Sequence, residues 1–267
     1  LAQNSIKALS IQIRLSGLSF CILNRTSNVI EFIKHVLLEK KATPYELLND
    51  LKNTIASHTE FQQPFDSVTC IYQNELSCLV PNELFDENNM ADYLKFNAKI
   101  LKTDFISFDH LVAAKSANVY VPLININNYI FETFGSFDYK HASSIMIETF
   151  LQQALQSSET TFCINVNDAT FEIICTENKR LLFYNTFEYA TKEDFIYYVL
   201  FTIEQLKLNP ETIKISLTGN IKVDDSLYTI LYKYIRFVEF LQPNYNFDFQ
   251  TELETHHSNF ILLNSFN

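Results

Sequence analysis

The sequence predicts a mixed α/β protein made of two successive units, each running β-β-β-α-β. Three observations predict it. Runs of period-two alternation open both halves, near residues 9 and 161, and turn residues fold each run back on itself. A Thr-x-x-acid helix start follows the third strand of each half, at Thr43 and at Thr191. The composition, 47% hydrophobic and 19% charged with 24 Phe and 14 Tyr in 267 residues, suits a large core and excludes a disordered or low-complexity chain. A doubly wound parallel sheet is disfavoured, because it needs single strands alternating with helices and the opening hairpins break that order.

The elements follow in chain order. Leu9 to Leu15 alternates as a half-buried strand, Ser16–Gly17 is a two-residue turn signal, and Leu18 to Leu23 returns as the second strand. Val29 to Leu38 is β-branched and apolar enough for a third. Thr43 at the N-cap, Pro44 at the first helical position and Glu46 two further on start a helix that ends near Ser57. Phe65 to Tyr72 is the fourth strand. Glu75 to Val80 reads as a short strand paired with it across Gln73–Asn74, which places Cys70 near Cys78. Short helices fill Asn82 to Asn97. Asp104 to His110 and Val119 to Leu123 read as strands, and Asn127 to Phe134 and Ser143 to Leu155 as helices.

The polar stretch from Gln152 to Glu159 marks a boundary near residue 158. Thr161 to Val166 and Thr170 to Cys175 then form a hairpin around Asn167–Asp168, bringing Cys163 towards Cys175, and Leu181 to Phe187 adds a third strand. The Thr191 helix carries the stripe Phe195, Val199, Ile203 and Leu206 and stops at Asn209–Pro210. Ile213 to Leu217 is the fourth strand and Thr218-Gly219-Asn220 its turn. Asp225 caps a long helix reaching Leu241, and Phe260 to Leu263 closes as a short strand. Two β-β-β-α-β units make the ribonuclease-H-like duplicate of actin-like proteins. Identity between the halves is negligible, so the repeat rests on topology. Residues 1–157 form the first lobe, with an inserted element at about 78–118, and residues 158–267 form the second.

Several chemistries are excluded. Glycine occurs three times, at 17, 135 and 219, where average usage of ~7% gives about 19. No two are close enough to share a phosphate-cradling loop, so Walker A and G-x-G-x-x-G fingerprints are absent. The net charge of −11 argues against a nucleic-acid surface. Five cysteines without a C-x-x-C, most inside apolar runs, read as buried thiols in a reducing compartment, and structural zinc lacks its ligand pairs. No apolar run has the ~18–20 residues of a membrane span, and a cytoplasmic location is expected. His256–His257 reads as a surface pair. Ser-His-Asp and Cys-His pairs are open on spacing, but no G-x-S-x-G turn supports them.

Separated blocks carry a family resemblance. They are Cys78-Leu-Val-Pro-Asn-Glu-Leu-Phe85 with Tyr93-Leu-Lys-Phe-Asn97, then Asn185 to Leu200, Glu204 to Leu208 and Ser216 to Ile221. The chain resembles an uncharacterised bacterial family, domain of unknown function family 3822, over most of its length. The resemblance implies an actin-like ATPase fold, akin to actin-like proteins of cell division and of pilus and secretion platforms, and implies no activity. Such ATPases hold nucleotide with two hairpins, each with an Asp beside a Gly, and a Gly-Gly turn under the adenosine. Here the first hairpin puts Gln12 and Arg14 at those positions, the second puts Asn165 and Asn167, and the third turn keeps Gly219 alone. Asp168 enters register only if the strand alternation shifts by one. Amides are poor replacements for carboxylates around Mg²⁺, and side chains at glycine positions take up phosphate space. The expectation is a non-catalytic actin-like protein with no cofactor, no metal and no ATP binding. It acts as a scaffold or assembly factor through an unidentified protein partner. The alternative is a diverged nucleotide-binding switch in which Arg14 reaches a phosphate.

Overall fold

In the computed structural model, which describes residues 5–96, 98–156, 159–250, 255 and 257–267, the opening hairpin is β1 (Lys7–Arg14) and β2 (Gly17–Asn24). The turn is Leu15–Ser16, one residue earlier than the Ser16–Gly17 signal, because Gly17 pairs with Arg14 as the first residue of β2. β3 (Val29–Leu37) follows antiparallel, then α1 (Pro44–Ser57), then β4 (Ser67–Tyr72), which lies parallel to β1. α1 begins as its sequence dictates. Thr43 caps the Glu46 N–H, Glu46 reaches back to the Thr43 N–H at 2.8 Å, and Pro44 follows the cap.

β5 (Ser77–Pro81), α2 (Met90–Leu94), β6 (Ser107–Leu111) and β7 (Ser116–Tyr120) form a separate small layer, a three-stranded sheet in the order β5-β7-β6. It has its own core of Val80, Leu94, Val119 and Val121. β5 therefore does not pair with β4, and Cys78 sits opposite Val119, away from Cys70. The reason is that the free edge of β4 is taken. α3 (Ile124–Phe134) leads to β8 (Asp138–His141), a strand the periodicity did not reveal, and β8 pairs parallel with β4. α4 (Ala142–Ala154) comes next.

The second half repeats the first at the level of single residue pairs. β9 (Thr161–Val166), β10 (Thr170–Glu177) and β11 (Arg180–Glu188) precede α5 (Lys192–Gln205) and β12 (Lys214–Gly219). Gln12 opposite Ser19 in the first hairpin corresponds to Asn165 opposite Glu172 in the second. Each third strand carries one extra residue at the matching point of its ladder, Glu31 in β3 and Leu182 in β11. α5 has the same capping box as α1, from Thr191 and Asp194. Paired residues share a face, so Cys163, opposite Ile174, lies on the other face of the sheet from Cys175, opposite Phe162. All five cysteines are free thiols. Burial pushes the Cys70 thiol up to about 12, as expected for inert core cysteines.

Two late expectations are corrected. α6 (Ser226–Tyr234) stops well short of Leu241, and β13 (Phe237–Phe240) pairs parallel with β12. Phe237-Val-Glu-Phe240 is β-branched and aromatic, and the open edge of β12 is available to it. After β14 (Asp248–Phe249), Phe260 to Leu263 belongs to a short helix, α7 (Phe260–Asn264), since a four-residue apolar run does not specify its own conformation.

The sheets are β14-β3-β2-β1-β4-β8 and β11-β10-β9-β12-β13. The chain divides into two compact units. One holds residues 5–146 with 245–250 and 261–267, the other 147–244 with 257–260. Residues 157 and 158 lie outside the described residues. In the first unit, Leu9, Ile11, Phe20 and Ile22 pack with Leu47 and Leu51 of α1 and Ile126 and Ile130 of α3. In the second, Phe162, Ile164, Phe171 and Ile173 pack with Phe195 and Val199 of α5 and Leu231 of α6. Among the described residues no helix is long and apolar enough to cross a membrane.

Gly17 shows how tightly the first hairpin is drawn. A Cβ there would lie 2.3 Å from the Val36 carbonyl oxygen, a backbone atom of β3 that has no room to yield. Gly17→Ala is expected to destabilise the protein by about 1–3 kcal/mol. Urea denaturation should show a lower midpoint with an unchanged slope.

Candidate functional site

The positions singled out in the sequence fall on the two hairpins and the turn after β12. In the first unit Gln12 is buried on β1, and its Nε2 donates to Gln73 Oε1 at 2.6 Å. Arg14 ends β1 and its Nη2 donates to Ser19 Oγ at 3.4 Å, while the same hydroxyl contacts His35 Nδ1 at 2.9 Å. Burial first, then the charges of Arg14 and Lys34, lowers the His35 pKa. Cross-strand register explains the grouping. Gln12 is opposite Ser19 and Ser19 is opposite His35, so all three share a face.

In the second unit the structure brings Asn165, Asn167 and Gly219 together around a residue the sequence reading passed over. Glu172 is buried on β10 directly opposite Asn165. Its Oε2 accepts from Asn165 Nδ2 at 2.5 Å and from Asn167 Nδ2 at 3.2 Å. Gly219 takes a left-handed φ of +83°, and a Cβ on it would meet Val166 O at 2.3 Å and Asn165 Oδ1 at 2.6 Å. Glycine is required there, and the Asn165 side-chain oxygen Oδ1 packs against it. Beyond the turn, Asn220 Nδ2 donates to Asp168 Oδ1 at 3.1 Å, and Tyr189 donates its hydroxyl to the Asn167 carbonyl at 2.7 Å. The signal for Glu172 was available: a lone acid inside Phe171-Glu-Ile-Ile-Cys175, opposite Asn165 in the hairpin register.

The chemistry follows from donors and acceptors. A carboxylate accepts hydrogen bonds and a carboxamide nitrogen donates them, so each Asn turns one of its two amide N–H groups to Glu172. The buried Glu172 carboxyl is held by two side-chain amides. Among the described residues no three His, Cys, Asp or Glu side chains converge as metal ligands.

A second polar cluster joins the small sheet to β8 and α4. His141 Nε2 meets the Asn74 carbonyl at 3.1 Å, so it carries the proton, and Nδ1 accepts from Ser143 Oγ at 2.6 Å. Asp109 accepts from Ser144 Oγ at 2.5 Å, the His141 N–H at 2.8 Å and the Tyr120 hydroxyl at 3.1 Å. Asn118 Nδ2 lies 2.8 Å from both serine hydroxyls. This is a serine, a histidine and an acid in one place, but not a hydrolytic triad. Both serines are buried, and the acid binds the histidine main chain rather than its ring. His256, the neighbour of His257, lies outside the described residues. His257 itself is buried, with Nε2 3.0 Å from the Ile221 carbonyl.

Two sheets of one strand order, each opening on a hairpin and continuing in parallel after a helix, define a protein of the actin-like ATPase fold. The chain belongs to the family described as protein of unknown function (DUF3822), which it matches over residues 1–238. A solved structure from Bacteroides thetaiotaomicron VPI-5482, a protein with actin-like ATPase fold and unknown function, is similar with a TM-score of 0.79. It is 22% identical, over 89% of this chain and 91% of that one. The PilM-PilN type IV pilus biogenesis complex is similar with a TM-score of 0.60 and 12% identity, over 96% of each chain. No curated protein sequence matches the chain.

Two predictions follow from these clusters. Asn165→Asp sets two carboxylates against each other and is expected to cost about 2–4 kcal/mol at neutral pH, because a buried donor is replaced by a like charge. Adding Glu172→Gln should return most of the loss, and equal stability of Asn165→Asp and the parent would contradict the arrangement. The second concerns acid. Burial pushes the His141 pKa down to about 4. Below about pH 6.5 the unfolded chain takes a proton that the folded one refuses, so stability falls from there to pH 4 by about 3 kcal/mol in all. The Asp109 carboxyl, raised by burial, binds its proton more readily in the folded state and works the other way. Denaturation midpoints should therefore drop more steeply with acid in the parent than in His141→Gln, and parallel curves would refute it.

Proposed function

We propose that this chain is a non-catalytic actin-like protein that has lost ATP binding and acts in the cytoplasm through protein contacts, as a scaffold or assembly factor. One observation carries the reading: Asn165 and Asn167, at the positions where nucleotide-binding relatives of this fold place an acid and a glycine, are both committed to the buried Glu172 carboxylate. A triphosphate needs open backbone N–H groups and a metal held by carboxylate. This loop offers side-chain amides already in use and a negative charge behind them. In the other hairpin Gln12 is likewise committed, to Gln73. The similarity to a structure described as a complex of two pilus biogenesis proteins supports a role through partners.

A second reading rests on Arg14, the cation at the end of β1. A guanidinium aimed at a phosphate would replace part of the metal's charge and make the protein a nucleotide-binding switch. Losing a metal ligand and gaining side-chain bulk at ~2–3 kcal/mol each moves a micromolar site into the millimolar range, at about tenfold per 1.4 kcal/mol. Calorimetric titration with ATP and Mg²⁺ is therefore expected to give no binding tighter than about millimolar. Micromolar binding that disappears in Arg14→Ala would replace the scaffold with the switch.

A further inference from the structure

The small layer formed by β5, α2, β6 and β7 leaves the first sheet and returns to it at one neck. There the Val121 N–H donates to the Leu76 carbonyl at 3.1 Å, and Asn74 Nδ2 donates to the Val121 carbonyl at 3.1 Å. His141, the last residue of β8, is tied to that neck by its ring, through Nε2 to the Asn74 carbonyl. The face of the layer turned to β8 and α4 is polar. Asp109 stands opposite Asn118 and Ser107 opposite Tyr120, so the four share a face. Ser107 donates to the Tyr139 hydroxyl at 3.4 Å, Asn118 holds Ser143 and Ser144, and Asp109 holds Ser144 and the His141 main chain. Tyr120 also reaches the core of the first sheet. Val119, on the other face, belongs to the layer's own core.

The donors and acceptors of this seam fix where its protons lie. Asn118 donates to both serine hydroxyls from one amide nitrogen. Ser143 Oγ, occupied as an acceptor, gives its own hydrogen to His141 Nδ1 at 2.6 Å, and the Ser143 N–H points at the same nitrogen at 3.2 Å. Nδ1 thus faces two donors. A proton on it would set N–H against N–H and strip the Ser143 hydroxyl of its acceptor. The charged groups around the ring are Asp109 of β6, bound to the His141 main chain, and Lys140 of β8. Tyr120 of β7 packs on the ring with centroids 5.3 Å apart, and Tyr72 is the ladder partner of His141 on β4. Glu75, beside Asn74, is exposed. Among the described residues neither ring nitrogen meets a carboxylate that would offset a positive charge.

We infer that His141 is a proton-operated latch: when its ring takes a second proton, the small layer parts from β8 and α4 as a unit while the two large sheets stay folded. Once parted, the polar face and the charged ring are hydrated, so opening forfeits little beyond the seam's own hydrogen bonds. The layer keeps its core of Val80, Leu94, Val119 and Val121. The direction in pH follows from burial, which holds the ring at about 4 in the closed state against about 6.5 in the open one. Closure is complete at neutral pH and is lost as pH falls from 6.5 to 4, by about 300-fold in all. The Asp109 carboxyl, raised by burial, favours the closed state in acid and offsets part of that loss.

Amide hydrogen exchange of the full chain, followed by mass spectrometry from neutral pH into acid and corrected for the pH dependence of exchange itself, reads each layer separately. In the parent, β5, β6 and β7 are expected to lose protection by about tenfold or more on acidification, while β1, β2, β9 and β10 keep theirs. That comparison within one molecule needs no variant. His141→Gln, whose side chain takes up no proton, should not show the loss, and its β1 and β2 report in the same data that it is folded. A parent layer that stays protected in acid, a layer that loses protection only together with β1 and β2, or an equal loss in the parent and a folded His141→Gln would each overturn the inference.

Discussion

β2 is buried along its whole length on both faces, and β10 everywhere but its ends. Helices cover one face of these two strands, and their other face is closed to water as well. A polar side chain on these strands has no solvent to fall back on, and leaving it unpaired would cost about 1–3 kcal/mol. Several polar side chains at the hairpins are therefore answered from within the chain: Gln12 by Gln73, Ser19 by His35, and Asn165 and Asn167 by Glu172.

The same constraint couples neighbouring positions of the second hairpin. An acid introduced opposite Glu172 would be a second buried charge, and an open glycine at 167 would leave the Glu172 carboxylate one donor short. Asn165, Asn167 and Glu172 form a set in which one position does not change without a cost at its neighbour. Glu172 is the residue around which the second hairpin is built.

Much of this was legible in the sequence, for identifiable reasons. Two-fold alternation and turn residues placed β1, β2, β9 and β10, and Thr-x-x-acid starts placed α1 and α5, because these signals act locally. The strands that were missed or misassigned, β5, β8 and β13, are short and owe their conformation to an open edge supplied by a distant strand. A local pattern cannot report which edge is free. Glu172 escaped for a related reason. As an isolated acid it carries no motif, and its importance lies in the strand opposite. The His141–Asp109 cluster likewise draws on β6, β7, β8 and α4, and nothing in the spacing of those residues links them.

β14 and most of α7 belong to the first unit although they come at the far end of the sequence. Ser265 reaches back to Ser10 at 2.7 Å, and the Phe266 carbonyl accepts from Arg25. A ribosome makes β3 early and the strand that covers it late, with the whole second unit in between. The sheet begun first is thus completed last. Throughout synthesis its outer edge is a bare template, and the second unit, whose β-sheet comes from one unbroken stretch, is free to mature before its predecessor. The order of synthesis and the order of completion run in opposite directions, and the risk of mispairing is concentrated in the N-terminal half of a nascent chain.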